Sequence, residues 1–317
     1  MTEQTPQAHP HYDRLIDAVR DLPPLRMAVV HPCNEVSLLA ATEAAALGLI
    51  EPILIGPARK VSEAAAATGV DLSRYILVDV PHSHAAAEMG VAMALKGEVD
   101  ALMKGSLHTD ELMAAVVRRD GGLRTARRIS HCFVMDVPGH AQPLIISDAA
   151  INIAPTLEEK VDIVQNAIDL AHALHLPEVR VALLSAMETV NPKVPSTLDA
   201  AALCKMADRG QITGAVLDGP LAMDNAIDPE AARIKGIVSP VAGKANVLIV
   251  PDLDAGNMLA KSLSFLAQAY AAGVVLGAKV PIVLTSRADS RTARLASCAL
   301  ASMLAQARRD GRIKAVG

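Results

Sequence analysis

The chain has 317 residues, which at about 150 residues per domain predicts two domains. Its 30 Lys+Arg against 34 Asp+Glu give a formal net charge of −4, so it lacks the basic excess of a nucleic-acid-binding protein. Hydrophobic residues make up 51% and aromatic residues 2%, which excludes disorder for most of the chain and predicts an aliphatic core. So few aromatic side chains also argue against stacking platforms for bases or sugar rings.

The cysteines and the apolar segments indicate where the protein resides. Four cysteines lie far apart, without a CxxC pair or zinc-ligand spacing, so we expect reduced thiols, the default in the cytoplasm. Residues 1–21 are polar and lack the apolar core of a signal peptide. The most apolar stretch, residues 269–284, is broken by Lys279. We therefore expect a soluble cytoplasmic protein without a membrane partner.

Apolar runs and helical stretches alternate along the chain. The pattern predicts a strand at 27–30, a loop, an Ala-rich helix at 35–47 with Gly48 as its C-cap, and a strand at 52–55. This βαβ unit implies a parallel sheet covered by helices. A later helix begins with a capping box of Thr156 and Glu159 and runs over 157–174. Further strands are predicted at 75–80, 101–103, 132–135, 179–184, 215–217, 247–250 and 281–284, so the fold class is α/β.

Three common motifs are missing from the sequence. No GxGxxG follows the first strand and no GxxxxGK[ST] occurs, which disfavours a Rossmann dinucleotide site and a P-loop hydrolase. No GxSxG is present, which disfavours a serine hydrolase of the α/β-hydrolase type.

Polar residues follow the predicted strand that begins at residue 101 and precede a helix at about 110–119. Lys104 places a cation at the strand end, and Gly105 allows the backbone to approach a ligand. Ser106 and Thr109 add hydroxyl groups. Because ligands of open α/β sheets bind beyond the carboxyl ends of strands, where helix N-termini attract anions, this junction is a candidate anion site. The ordinary alternative is a capped helix with a solvated lysine.

Two further junctions carry polar side chains. Asp218 ends a strand before a Gly-Pro turn, which by itself favours an ordinary turn. Two polar loops flank the predicted strand at 247–250, and either loop could bind a ligand or simply form turns. Their candidate binding residues are Lys244, Asn246, Asp254 and Asn257.

The fourth junction is the strongest candidate. Ser286 and Arg287 follow the last predicted strand and precede a helix at 292–308, for which Ser290 is the expected N-cap. A hydroxyl, a guanidinium and free N–H groups at one point would form a cradle for an oxyanion. The ordinary alternative is a helix cap with a surface arginine. His31 and His108 also stand at strand ends, where acid–base roles compete with structural ones.

These segments together resemble the phosphate acetyltransferase/phosphate butyryltransferase family. The matching stretches, in family order, are MKGSLHTDEL (103–112), ISDAAINIAPTLEEK (146–160), GPLAMDNAIDPEAAR (219–233), SPVAGKANVLIVPDLDAGNM (239–258) and PIVLTSRADS (281–290). The resemblance implies two three-layer α/β/α domains with an interdomain cleft, as in isocitrate and isopropylmalate dehydrogenases. Domain I would comprise 1–127 and 278–317, with domain II inserted at 128–277. It also implies a homodimer or a larger homo-oligomer.

The reaction implied by this resemblance is acyl-CoA plus phosphate giving acyl phosphate plus CoA, by direct attack of phosphate on the thioester. Coenzyme A is then a substrate, and no metal or redox cofactor is expected. Ser286 and Arg287 match the family's Ser-Arg pair. We expect Arg287 to anchor the phosphoryl group or the carbonyl oxygen, and Ser286 to hydrogen-bond the sulfur or the oxyanion.

The chain departs from the acetyl branch of the family at two positions. Ala293 stands where that branch has an Asp proposed to deprotonate CoA, so Asp289, the nearest carboxylate, and phosphate itself remain as bases. Met113 stands where that branch has a CoA-binding Arg, and the candidates to replace it are Lys104, Arg118, Arg119 and Arg124. The segment at 219–228 looks more like the butyryl branch, so acyl chain length stays open.

Two other functions stay open from the sequence. The first is an NAD- and metal-dependent hydroxy-acid dehydrogenase of the same architecture, with Asp218, Asp252 and Asp254 as metal ligands. The second is a module that binds CoA or phosphate without turnover. A variant of the acyltransferase mechanism is an acyl-enzyme route with Cys33 or Cys132 as nucleophile, for which the sequence offers no obvious activating base.

Overall fold

The computed structural model describes residues 9–284 and 289–314. Its helices are α1 (Pro10–Val19), α2 (Glu35–Ala46), α3 (Ala58–Thr68), α4 (Ser83–Leu95), α5 (Thr109–Val116), α6 (Leu157–Ala173), α7 (Pro195–Asp208), α8 (Met223–Ile227), α9 (Pro229–Ile234), α10 (Leu253–Leu266) and α11 (Arg291–Arg309). Its strands are β1 (Leu25–Val30), β2 (Ile50–Gly56), β3 (Ile76–Asp79), β4 (Ala101–Lys104), β5 (Ser130–Asp136), β6 (Leu144–Ser147), β7 (Arg180–Leu184), β8 (Val216–Leu221), β9 (Val247–Ile249), β10 (Tyr270–Leu276) and β11 (Ile282–Val283). The predicted α/β fold class is confirmed, with a sheet that is mixed because the pairs β5–β6 and β10–β11 are antiparallel.

The described residues form two compact units. The central unit comprises the described part of Met1–Leu15 together with Ser130–Ala271. The terminal unit comprises Ile16–Ile129 together with the described part of Ala272–Gly317. The domain boundaries expected from the family resemblance stay predictions.

The sheet of the terminal unit brings three strand ends to one edge. Its strand order is β3-β2-β1-β4-β11-β10, with neighbours parallel except for the antiparallel pair of β10 and β11. Val30 at the end of β1 pairs with Lys104 at the end of β4, and Val283 at the end of β11 pairs with Met103. The carboxyl ends of β1, β4 and β11 therefore lie side by side at one edge of the sheet.

The sheet of the central unit has the order β5-β6-β9-β7-β8. β6, β9, β7 and β8 are parallel, whereas β5 runs antiparallel to β6. Ser147 at the end of β6 pairs with Ile249 at the end of β9, which in turn pairs with Leu183 near the end of β7. The carboxyl edge of this unit is thus formed by the segments that begin at Asp148, Val250 and Ser185.

Small aliphatic side chains build the interior, as the composition predicted. Helix α2 buries Leu38, Ala40, Ala41 and Ala44, and α11 buries most of its length from Leu295 to Ala307. Alanine at these positions lets helix and sheet backbones approach closely, so the core needs few large side chains. Within the described ranges, no helix is long and apolar enough to cross a membrane.

Most predicted elements are confirmed to within a few residues, and the exceptions have physical causes. The capping box of Thr156 and Glu159 begins α6. Gly48 was predicted as the C-cap of α2 but the C-cap is Leu47, with Gly48 following at a φ of 72°. β6 and β10 were not predicted as strands, and β10 shares one long apolar stretch with β11, the part of it that was predicted.

Candidate active site

Gly105 lies where β4 leaves the sheet of the terminal unit, in very close contact with the end of β1. Its N–H donates to the carbonyl oxygen of Val30 at 2.8 Å. A Cβ atom built on Gly105 would lie 2.5 Å from the carbonyl oxygens of both Val30 and His31. Because real Cβ atoms do not approach backbone oxygens so closely, only glycine fits this position without moving the two strand ends apart.

His31 and Ser106 join these strand ends through a pair of side-chain contacts. The Ser106 hydroxyl donates to the carbonyl oxygen of His31 at 2.8 Å, and its oxygen lies 2.9 Å from His31 Nδ1. The Ser106 N–H donates to the same His31 carbonyl at 2.9 Å. His31 adopts a φ of 60°, a conformation uncommon for a residue with a side chain. Both residues are therefore held in one arrangement at the carboxyl edge.

The Lys104 side chain forms hydrogen bonds with the loop that follows β4. Its side chain is only 8% exposed, and Nζ donates to the carbonyl oxygens of Gly105 and Leu107 at 3.2 Å each. This buried ammonium group fixes the loop conformation and adds positive charge beside the N-terminus of α5. Thr109 is the first residue of α5. The structure thus brings together Lys104, Gly105, Ser106 and Thr109, as the sequence predicted for one junction.

The last predicted junction is described only in part. Ser286 and Arg287 lie outside the described residues. Asp289 precedes α11, and its backbone carbonyl accepts a hydrogen bond from Arg294. Ser290 is the N-cap of α11, as predicted, and its hydroxyl oxygen accepts the N–H of Ala293 at 3.1 Å. The catalytic roles of Ser286, Arg287 and Asp289 stay predictions.

In the central unit, Asp148 organises the loop that follows β6. The carboxylate is 3% exposed and accepts the N–H groups of Ala150 at 2.9 Å, Ile151 at 3.0 Å and Asn152 at 3.2 Å. The Asn152 side-chain amide also donates to it. Several N–H donors satisfy the buried charge of Asp148, so this loop is a rigid part of the carboxyl edge.

The N-terminus of α10 packs against the Asp148 loop. A Cβ on Gly256 would lie 2.7 Å from the carbonyl oxygen of Asp148, so helix and loop are in close contact. The Asn257 amide donates to the carbonyl oxygen of Ala149 at 3.3 Å. Asp254 lies exposed in the first turn of α10. Two predicted binding residues, Asp254 and Asn257, therefore share this edge.

The other predicted binding residues of the central unit lie elsewhere. Lys244 is exposed, and Asn246 immediately precedes β9 at the end opposite to α10. Asp218 is the third residue of β8, which is the last strand of the sheet, and its carboxylate accepts the Gly219 N–H at 2.8 Å. The two polar loops around β9 are thus separated by the length of that strand.

Asn246 has a well-defined structural environment. Its Oδ1 accepts the N–H of Arg180 at 2.9 Å, and its Nδ2 donates to the carbonyl oxygen of Glu178 at 2.7 Å and to Gln142 at 3.1 Å. Asn246 itself is 1% exposed, whereas Gln142 and Glu178 are exposed, so these hydrogen bonds are only partly buried. Its predicted role in substrate binding stays a prediction beside this structural one.

Replacing Asn246 by alanine should destabilise the protein. The change removes the hydrogen bonds with the Arg180 N–H and the Glu178 carbonyl, each of which contributes about 0.5–1.5 kcal/mol. We expect the free energy of unfolding, measured in urea, to fall by about 1–3 kcal/mol. A variant as stable as the wild type would contradict the structural role, and a raised KM for either substrate would support the binding role.

Comparison with known proteins decides the family. Residues 82–302, more than half of the chain, match the family described as phosphate acetyl/butaryl transferase. A phosphate acetyltransferase from Rhizobium meliloti is 63% identical over 316 residues, which cover 100% of each chain. The chain belongs to the phosphate acetyl/butyryl transferase family.

Two further comparisons agree with this membership. A phosphate butyryltransferase from Clostridium beijerinckii is 38% identical over 295 residues, covering 93% of this chain and 98% of the relative. The crystal structure of a branched-chain phosphotransacylase from Enterococcus faecalis aligns with a TM-score of 0.78 at 29% identity, covering 89% of this chain and 99% of that one. As a member of the phosphate acetyl/butyryl transferase family, the chain is an acyltransferase, as the sequence predicted.

In this family member, burial makes the four thiols poor nucleophiles. Burial raises the pKa of Cys33 to about 11, and the nearby charge of Lys60 lowers it only in part. Burial likewise raises the pKa of Cys132, Cys204 and Cys298 to about 12 each. Since the thiolate is the reactive form, the structure gives no support to a cysteine acyl-enzyme.

Cys33→Ala should therefore leave the reaction nearly intact. With a pKa of about 11, less than about 1% of the Cys33 side chain is in the thiolate form at pH 7.5. We expect the kcat for CoA release from acyl-CoA to stay within about threefold of the wild type. A loss of about a thousandfold or more, with an acyl group on Cys33 in the wild type, would establish the acyl-enzyme route instead.

Two of the three aspartates expected as metal ligands of a dehydrogenase accept backbone hydrogen bonds instead. Asp252 is the N-cap of α10 and accepts the N–H of Ala255 at 2.9 Å, while Asp218 lies in β8. Among residues 9–284 and 289–314, no three His, Cys, Asp or Glu side chains are grouped as a metal site. Nothing in the geometry of these aspartates favours the dehydrogenase alternative for this family member.

Two features at the carboxyl ends of the strands were not predicted from the sequence: the Asp148 loop and the contact between His31 and Ser106. The Asp148 loop lies in the segment ISDAAIN, where a strand followed by Asp and, four residues later, Asn is the available signal. The contact of His31 with Ser106 joins residues 75 positions apart, so no local pattern predicts it.

Proposed function

We propose that this acyltransferase moves a short acyl group reversibly between coenzyme A and inorganic phosphate, with acetyl as its preferred group. The observation that carries the proposal is the 63% identity over the whole chain with a phosphate acetyltransferase, against 38% with a phosphate butyryltransferase. This difference outweighs the short segment at 219–228 that looks like the butyryl branch.

The chemistry makes three demands on the site. Phosphate and the thioester carbonyl must be held in near contact, the tetrahedral oxyanion must be stabilised, and a proton must reach the leaving sulfur. We assign the oxyanion or phosphoryl contacts to Arg287 and Ser286, which follow β11. The neighbouring edge supports this assignment, because Lys104, Ser106 and the N-terminus of α5 together favour an anion there.

The two compact units correspond, in this proposal, to the two three-layer α/β/α domains of an isocitrate/isopropylmalate dehydrogenase-like fold. Support comes from the chain segments in each unit. The terminal unit combines residues 16–129 with a C-terminal segment, and residues 130–271 of the central unit lie between them in the sequence. We further propose that Asp254 and Asn257 at the start of α10 contact substrate. We further propose a cytoplasmic homo-oligomer, which size-exclusion chromatography with light scattering would test.

A thiol-release assay tests the proposed function and the acyl preference together. Acetyl-, propionyl-, butyryl- and longer acyl-CoA are each incubated with and without phosphate, and CoA is measured with a thiol reagent. We expect kcat/KM to be about tenfold or more higher for acetyl-CoA than for butyryl-CoA, since pocket size discriminates each methylene by about 10-fold or more. A preference for butyryl-CoA would overturn the acetyl assignment alone, whereas release equally fast without phosphate would overturn transfer to phosphate.

A further inference from the structure

The proposed reaction moves one proton, and Ala293 stands where the acetyl branch of the family has its proposed base. When HPO₄²⁻ attacks the thioester, a phosphate oxygen forms a bond to the acyl carbon and the carbon–sulfur bond breaks. The products are acyl phosphate and CoA thiol, so the phosphate proton ends on sulfur. Ala293 lies inside the first turn of α11 and offers no proton-accepting group. Besides Asp289 and phosphate itself, a side chain with an available lone pair near the candidate anion site is a further candidate for this step.

The hydrogen bonds between Ser106 and His31 fix which ring nitrogen carries the proton. A carbonyl oxygen cannot donate, so the 2.8 Å contact with the His31 carbonyl uses the single hydrogen of the Ser106 hydroxyl. The 2.9 Å contact between Ser106 Oγ and His31 Nδ1 must then be donated by Nδ1–H. A neutral imidazole has one N–H, so Nε2 carries the lone pair.

The backbone holds the His31 ring in place at the carboxyl edge. The His31 N–H donates to Ile55 at 2.7 Å, and its carbonyl also accepts the N–H of Cys33 at 2.8 Å. The side chain is half-buried, and among the described residues none hydrogen-bonds to Nε2. A fixed, partly accessible imidazole beside a candidate anion site has the arrangement of a general base.

Burial, more than the surrounding charges, lowers the pKa of the His31 imidazole and so favours its neutral form. Burial lowers its pKa below the ordinary value of 6.5, and the charge of Lys60 on α3 lowers it further. Glu111 in the first turn of α5 opposes both effects by raising the pKa. The neighbouring Cys33 thiol is uncharged, because its own pKa is raised to about 11.

We propose that His31 Nε2 is the proton carrier of the acyl-transfer reaction. It accepts the proton of the attacking phosphate and delivers it to the sulfur as the carbon–sulfur bond breaks, and in reverse it takes the proton from the CoA thiol. Ser106 acts as a positioning residue, because its hydroxyl fixes the tautomer. This inference rests on the proposed function.

His31→Asn removes the base but preserves the geometry. Asparagine tolerates positive φ, and its amide N–H₂ can still donate to Ser106, yet it cannot accept a proton. We expect kcat to fall by about 10²–10⁴-fold, while KM for acetyl-CoA and phosphate changes by less than about threefold. The matched control is His175→Asn, since His175 has the same unusual φ, 57°, but lies in the central unit after α6. It should retain wild-type kcat.

Two readouts separate a proton carrier from a structural residue. In wild type, kcat/KM for CoA plus acetyl phosphate should fall as the pH drops through the His31 pKa, below 6.5, and His31→Asn should lack this limb. Glycine at position 31 keeps positive φ available. Added imidazole should therefore raise the kcat of His31→Gly by at least about tenfold. Circular dichroism of both variants reports whether they fold.

The opposite results would overturn the inference. His31 is not the carrier if folded His31→Asn keeps a kcat within about threefold of the wild type. It is also not the carrier if His31→Asn keeps the fall of kcat/KM at low pH while Asp289→Asn loses it. Loss of activity in folded His31→Gly without imidazole rescue assigns His31 a structural role. Failure of the proposed function is distinguishable, because wild-type protein would then release no CoA in response to phosphate.

Discussion

Gly105→Ala is expected to lower kcat/KM by about 100-fold or more while leaving a folded protein. The added methyl group would lie 2.5 Å from two backbone oxygens, so β4 and β1 must move apart where the candidate anion site begins. Displacements of about 1 Å in catalytic groups can cost about 10²-fold in rate. Steady-state assays with both substrates, together with thermal unfolding, measure the effect.

The matched control for this change is Gly97→Ala in the same unit. A Cβ on Gly97 would meet nothing within 4 Å, although its φ of 72° strains any other residue. This variant should lose about 1–2 kcal/mol of stability and keep its kcat/KM. If Gly105→Ala behaves like Gly97→Ala, the close contact between the strand ends has no part in catalysis.

Arg287→Ala and Ser286→Ala should each reduce kcat by about 10²–10³-fold. Both residues lie outside the described part of the chain, so the expectation rests on their match to the family's Ser-Arg pair. Removing one donor to a developing oxyanion has an effect of this size because the group acts most strongly in the transition state. Rates measured with saturating acetyl-CoA and phosphate separate this loss from weakened binding.

Arg291→Ala provides the control, since Arg291 is a neighbouring arginine with a defined partner. It begins α11 and forms an ion pair with Glu43 at 2.9 Å. Exposed pairs of this kind contribute less than about 1 kcal/mol, so this variant should keep wild-type kcat. Near wild-type rates in both Arg287→Ala and Ser286→Ala would end the catalytic assignment of the pair.

Local features of the fold were predictable from the sequence because their causes are local. The capping box of Thr156 and Glu159 places two partners three residues apart, and Ser290 caps α11 by the same short-range rule. Lys104, Gly105 and Ser106 were found as a group because they follow one strand. In parallel sheets, carboxyl strand ends lie at one edge, so the pattern already indicates where ligands bind.

Other features depend on contacts between distant residues and could not be predicted. The partners of Asn246 lie 66, 68 and 104 positions away, so nothing nearby in sequence distinguishes its structural role from ligand binding. Lys244 and Asn257 flank the same strand, but its two ends are on opposite edges of the sheet. The arrangement of His31 and Ser106 likewise requires β1 and β4 to be paired first.

A single-turnover experiment with enzyme in excess over acetyl-CoA tests direct transfer to phosphate most directly. Rapid quenching, with and without phosphate, measures free CoA, acetyl phosphate and any acetyl group on the protein. The predicted result is no CoA release above background without phosphate, and one acetyl phosphate for each CoA with it. A burst of CoA without phosphate, accompanied by acetylated protein, would contradict direct attack of phosphate on the thioester.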